Sequence, residues 1–169
     1  MKYLSVIRHA KAARPDKYDT DVERPLTKRG VNDSDLVAKK LSLLSPKVDW
    51  LVSSPSVRTR ETVDRFVRAL HYDEPVIWEQ ELYGADAGTL LDILSSVPVE
   101  IEHAVIIGHN PGMEALVSGL CTGSTVRLNL SMPTATLAHL ELDIRWWNQI
   151  RWGCGQLQIL LKPKLLRAR

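Results

Sequence analysis

Apolar residues recur along this chain in two spacings. Short runs such as Tyr3-Leu4-Ser5-Val6-Ile7 and His103-Ala104-Val105-Ile106-Ile107 are bounded by charged or turn-forming residues. They predict buried strands over 2–7 and 103–107, with another over 49–53. Between them the apolar positions fall three or four residues apart: Leu36, Val37, Leu41 and Leu44 predict a helix over 33–44, closed by Pro46. Val63, Phe66, Val67 and Leu70 form the inward stripe of the next helix, while Val57, Glu61, Asp64 and Arg68 lie on another face. Pro55 suits its first turn, where no N–H is needed. Residues 75–78 predict a short strand, and 86–96 a helix that buries Leu90, Leu91 and Leu94. Gly108, Asn110 and Gly112 permit a tight turn into a helix over 113–120. Residues 136–142 and 156–161 are expected to join the sheet as late edge or antiparallel strands.

Alternating strands and helices predict a three-layer α/β/α sandwich with a mostly parallel central sheet and an antiparallel edge strand. Ligands then collect at the carboxyl ends of the strands. A length of 169 residues with 44% apolar content, and no repeat or linker, predicts one domain over 1–169. Lys162, Lys164, Arg167 and Arg169 make residues 162–169 a basic segment, expected as a flexible solvated tail. A net charge of +2 without a basic face argues against nucleic acid as a partner. Apolar runs too short to span a bilayer, and no signal-like leader, make a cytoplasmic location the expectation. Cys121 and Cys154 offer neither metal spacing nor a disulfide framework. With no P-loop and no dinucleotide fingerprint, no cofactor is expected. Trp146, Trp147 and Trp152 are expected in packed structure, with a docking surface as the alternative.

The chemistry concentrates where strands end. Arg8-His9-Ala10 follows the first strand, and Ile106-Ile107-Gly108-His109-Asn110-Pro111-Gly112 places a second histidine at another strand exit. Between them Ser53-Ser54-Pro55-Ser56-Val57-Arg58-Thr59-Arg60-Glu61-Thr62 delivers Arg58 from a strand-to-helix junction. Histidine suits nucleophilic or proton-transfer work, and arginine suits a planar, multiply charged oxyanion, so the set points to phosphoryl transfer. His71, His103 and His139 read as structural, and Arg60 and Arg65 as helix-surface residues. The serines lack a nucleophile elbow and read as turn or capping residues. Trp78 and Tyr83 read as packing residues that are also placed to line a substrate edge.

Arg8-His9-Ala10, Arg24-Pro25-Leu26-Thr27-Lys28-Arg29-Gly30, the Ser53–Thr62 segment and Gly108-His109-Asn110-Pro111-Gly112 together resemble the histidine phosphatase superfamily, with its phosphoglycerate mutase-like fold. The short length and compact last motif look most like the SixA-type phosphohistidine phosphatases. The resemblance implies a catalytic nucleophile at His9, phosphate-binding roles for Arg8 and Arg58, and a catalytic, phosphate-pocket role for His109, preferably as imidazolium. Asn110 and Gly112 then shape the last loop. Glu81 and Asp86 occupy the region where larger members of the superfamily carry a general acid, with binding, capping or surface roles as the alternative. The expected substrate is a phosphohistidine on a protein, such as a histidine-phosphotransfer protein. A general phosphomonoesterase, a phosphosugar phosphatase, a mutase-like enzyme and a noncatalytic phosphate-recognition module remain the alternatives.

Overall fold

A computed structural model describes residues 1–167. Among these, β1 (Lys2–Arg8), β2 (Trp50–Ser53), β3 (Ile77–Trp78), β4 (His103–Gly108), β5 (Leu137–Leu142) and β6 (Gly155–Leu161) form a six-stranded sheet in the order β3-β2-β4-β1-β5-β6. The helices are α1 (Lys28–Leu41), α2 (Val57–Leu70), α3 (Ala87–Ser95) and α4 (Gly112–Thr122).

Successive strand side chains point to opposite faces, and the core divides accordingly. Leu4, Val6, Val52, Ala104 and Ile106 pack with Leu90 and Leu94 of α3 and Leu116 and Leu120 of α4. Ile7, Leu51, Val105 and Ile107 pack with Val37 and Leu41 of α1 and Val63 and Phe66 of α2. Each fully buried aliphatic side chain contributes about 1.5–3 kcal/mol, so both layers are firmly attached to the sheet.

Strands β1 to β4 are mutually parallel, whereas β5 runs antiparallel to β1 and β6 antiparallel to β5. β6 is therefore the expected edge strand paired antiparallel with its neighbour, while β5, antiparallel to β1, lies inside the sheet. The cause lies in the connection. α4 carries the chain back to the far end of the sheet, and residues 123–136 return along it without a helix, so β5 starts beside the end of β1, with Leu137 opposite Ile7.

Helix α1 begins five residues earlier than its apolar stripe predicts and ends three residues sooner. Thr27 caps it, its hydroxyl accepting from Gly30 N at 3.0 Å, and this polar first turn carries no apolar signal. A Cβ at Gly30 would collide with the Lys11 carbonyl, so the glycine lets the helix start press against the loop after β1.

The expected free tail is docked as far as it is described. Pro163–Leu165 form a 3-10 turn, and Arg167 donates to both carboxylate oxygens of Asp33, at 2.8 and 2.6 Å. Asp33 is itself buried in α1. Arg169 lies outside the described residues. Trp147 is fully buried and donates to the Ile101 carbonyl at 2.9 Å, Trp152 lies against Gly119, and Trp146 is exposed beneath Arg145. No helix among the described residues is long and apolar enough to cross a membrane.

His103 and His139 share a buried polar chain with Ser5 in the middle of the sheet. His103 Nδ1 lies 2.9 Å from the Pro46 carbonyl, which can only accept, so Nδ1 carries the proton. Ser5 then donates to His103 Nε2 at 2.9 Å and accepts from His139 Nδ1 at 3.0 Å. Burial pushes His139 down to about 4 and lowers His103 as well.

Candidate active site

Three strand ends meet at one place because β1 lies beside β4 and β4 beside β2. The last residues of β1 are clamped on both sides: His9 N donates to the Gly108 carbonyl at 2.9 Å, and Ala135 N donates to the carbonyls of Arg8 and His9 at 3.1 and 3.0 Å. Ala10 N donates to the Thr62 hydroxyl of α2 at 3.1 Å. The ring of His9 is thus held by a backbone with little freedom.

His9 Nδ1 lies 2.8 Å from its neighbour's carbonyl, Ala10 O. That oxygen only accepts, so Nδ1 bears the proton and Nε2 presents a lone pair. Burial, with positive Arg58 and Arg8 nearby, pushes His9 down to about 3, and the imidazole is neutral at ordinary pH.

His109, at the end of β4, brings its ring centroid to 5.0 Å from that of His9. Arg58 Nη2 lies 3.3 Å from His109 Nδ1 and can only donate, so Nδ1 accepts and Nε2 donates to the Ser54 hydroxyl at 2.9 Å. Burial first, and Arg58 second, push His109 down to about 4. The free site therefore holds a neutral imidazole where an imidazolium was expected; its positive charge comes from the arginines.

Arg58 stands in the first turn of α2 and is buried. Its Nη1 donates to the Asp21 carbonyl at 2.6 Å and its Nη2 to the Asp21 carboxylate at 2.8 Å. Arg8 Nη1 donates to the Met132 carbonyl at 3.0 Å, which also accepts from Asn110 Nδ2 at 3.0 Å, and Met132 N donates to Glu114 at 2.7 Å. The buried Nε atoms of Arg8 and Arg58 have no partner among the described residues. Buried donors are normally satisfied, so each guanidinium keeps one N–H able to donate to an anion placed against it.

His9, His109, Arg8 and Arg58 come together as one constellation. Glu81 and Asp86 do not join it. Asp86 is the N-cap of α3, its carboxylate accepts from Thr89 N at 2.8 Å, and that bond holds it below the usual carboxylate range. Glu81 is exposed and makes no side-chain hydrogen bond among the described residues. Asn110 and Gly112 shape the loop: a Cβ at Gly112 would collide with the Ala85 carbonyl.

Sequence reasoning missed Asp21, whose carboxylate also accepts from Tyr83 Oη at 2.7 Å and from Arg24 Nη1 at 2.6 Å. The Tyr83 hydrogen bond, followed by those of Arg24 and Arg58, holds this carboxylate well below its ordinary range. A signal existed in Thr20-Asp21-Val22-Glu23, a capping box that closes on itself, with Thr20 N donating to Glu23 at 3.1 Å. Ser54, which the sequence marks only as a turn or capping residue, fixes His109, and Tyr83 sets its ring edge-on to His109 at 5.3 Å between centroids.

Residues 4–96 match the family model for the histidine phosphatase superfamily, branch 1. An uncharacterized protein of Mycobacterium tuberculosis is 30% identical over 157 residues, covering 89% of this chain and 96% of that protein. Phosphohistidine phosphatase SixA of Escherichia coli is 27% identical over 149 residues, covering 87% of this chain and 89% of that one. Among solved structures, a candidate phosphohistidine phosphatase SixA from Nakamurella multipartitia superposes with a TM-score of 0.82 at 26% identity, covering 96% of each chain. The sheet order, the sandwich and these likenesses agree on a phosphoglycerate mutase-like fold, and the chain belongs to branch 1 of the histidine phosphatase superfamily.

Proposed function

We propose that the protein is a phosphohistidine phosphatase that removes phosphate from a protein histidine through a covalent phospho-His9 intermediate and needs only its own side chains. The observation that carries this reading is the pinned tautomer of His9, with Nδ1–H committed to Ala10 O at 2.8 Å and the Nε2 lone pair left for attack. In the first step His9 Nε2 forms a bond to phosphorus in line as the P–N bond of the substrate breaks, and the departing imidazole, already protonated on its other nitrogen, keeps the electron pair and leaves neutral. In the second step water attacks the phosphorus of phospho-His9, releasing inorganic phosphate and restoring the imidazole. Arg8 and Arg58 oppose the negative charge spread over the equatorial oxygens in both steps.

The carboxylates favour an imidazole leaving group over an alkoxide. An alkoxide needs a proton donor in place, whereas Asp21 and Asp86 are both held ionised. A phosphorylated imidazole, already protonated on its other nitrogen, leaves with less help. The test is time-resolved dephosphorylation of a phosphohistidine-bearing histidine-phosphotransfer domain, run beside a small phosphoester and a His9→Ala control. The expected outcome is faster, His9-dependent release from the protein substrate, with an alkali-stable phosphohistidine trapped on His9. Turnover confined to the small ester would replace this reading with a general phosphomonoesterase.

A further inference from the structure

Asp21 engages both outer nitrogens of Arg58, and Nη2 also donates to His109 Nδ1 at 3.3 Å. Asp21 takes Nη1 with its carbonyl and Nη2 with its carboxylate, leaving Nε as the nitrogen of that guanidinium without a partner. Tyr83 and Arg24 hold the same carboxylate from two further directions. The turn that carries it, Asp21–Glu23, contains no buried residue. It is held over the site by polar contacts to Asp21 and not by an apolar anchor of its own.

We propose that Asp21 is a specificity-determining residue: its carboxylate competes with the phosphoryl group for Arg58 and so selects phosphoryl groups presented on a large surface over small free phosphates. This rests on the phosphatase reading above. A phosphoryl dianion arriving at the site meets a carboxylate of the same sign on the arginine it needs. It either displaces that carboxylate or binds beside it against charge repulsion. A small ester has only its phosphoryl contacts with which to offset this. A protein-borne phosphohistidine adds contacts to the turn, where Val22 is 40% exposed, and to Tyr83 beside it, 39% exposed, and binding away from the reacting atoms then offsets the displacement.

The test compares wild-type protein with Asp21→Asn, which removes the charge but keeps an oxygen acceptor for Arg58 and Tyr83. Tyr83→Phe, which removes one of the contacts holding the carboxylate, is the second variant. Binding of inorganic phosphate is followed by calorimetry and by the ring NMR signals of His9 and His109, independently of turnover. Turnover is measured on para-nitrophenyl phosphate and on a phosphohistidine-bearing domain. The expected result for Asp21→Asn is a Kd for phosphate roughly tenfold lower, the order that relief of like-charge repulsion at a partly exposed site supplies. The KM for the small ester falls with it at little change in kcat, and turnover of the protein substrate changes far less. Tyr83→Phe moves phosphate binding the same way by a smaller factor. If Asp21→Asn binds phosphate no more tightly, or loses turnover on both substrates alike, Asp21 is a support for Arg58 and the proposal is overturned. That result alongside normal wild-type turnover through His9 overturns only the specificity role of Asp21. Absence of both phosphate binding and His9 labelling in every form overturns the phosphatase reading as well.

Discussion

His9 and His109 are buried beside arginine, and both keep their neutral forms into acid. With His9 pushed down to about 3 and His109 to about 4, neither ring in the free protein takes up a proton as pH falls through 6.5, where an exposed histidine would. NMR titration of the ring carbons is expected to show both neutral at pH 6 and protonating only as pH falls toward those values. A midpoint near 6.5 for His9 would remove the case for a preset nucleophile. Arg58 is less replaceable than its charge suggests, because its fork meets Asp21 and His109 from one guanidinium. Arg58→Lys keeps the charge but not the fork, and kcat/KM is expected to fall by about 10²-fold or more.

Helix starts carry the site, and they differ in what they contribute. Asp86 caps α3, so Asp86→Ala is expected to lower the midpoint of denaturant unfolding while kcat/KM stays within about twofold of wild type. A drop of 10²-fold or more would instead restore Asp86 as the proton donor. Gly112 opens α4 against the Ala85 carbonyl, and Gly112→Ala is expected to lower Tm and activity together by displacing His109. These starts were readable to different depths. His9, Arg58 and His109 follow strands with strong apolar signals, so their junctions stood out in the sequence. The start of α1 did not, since its first turn is polar and its glycine answers to the Lys11 carbonyl, a contact made only in the folded chain. Asp21 was legible only as part of a capped turn: its partner Arg58 lies 37 residues further on, and the capping box marks the turn but not that pairing. The interior place of β5 was equally hidden, because strand direction depends on where residues 123–136 run and not on the apolar content of residues 136–142.

The assembled molecule buries His103 and His139 as well as the two site histidines, and all four are pushed below the ordinary histidine value. The unfolded chain therefore binds more protons as pH drops below 6.5, and the folded state loses stability in that direction. Calorimetry is expected to find Tm constant above about pH 7 and falling steadily as pH is lowered through 6.5 toward 4. A Tm that rises on acidification would contradict the buried neutral chain through Ser5. Strand direction has a practical consequence for handling the protein. β1 runs from Lys2 toward the site and spans roughly 20 Å at about 3.3 Å per residue, so Met1 stands at the opposite end of the sheet from His9. β6, parallel to β1, delivers the chain to the same end as His9 and His109 before it turns back onto α1. A protein immobilised through its first residue would present the end of the sheet that bears His9 and His109 to solution and leave room there for the bulky substrate proposed above, whereas one tethered through the end of β6 would turn that end toward the support.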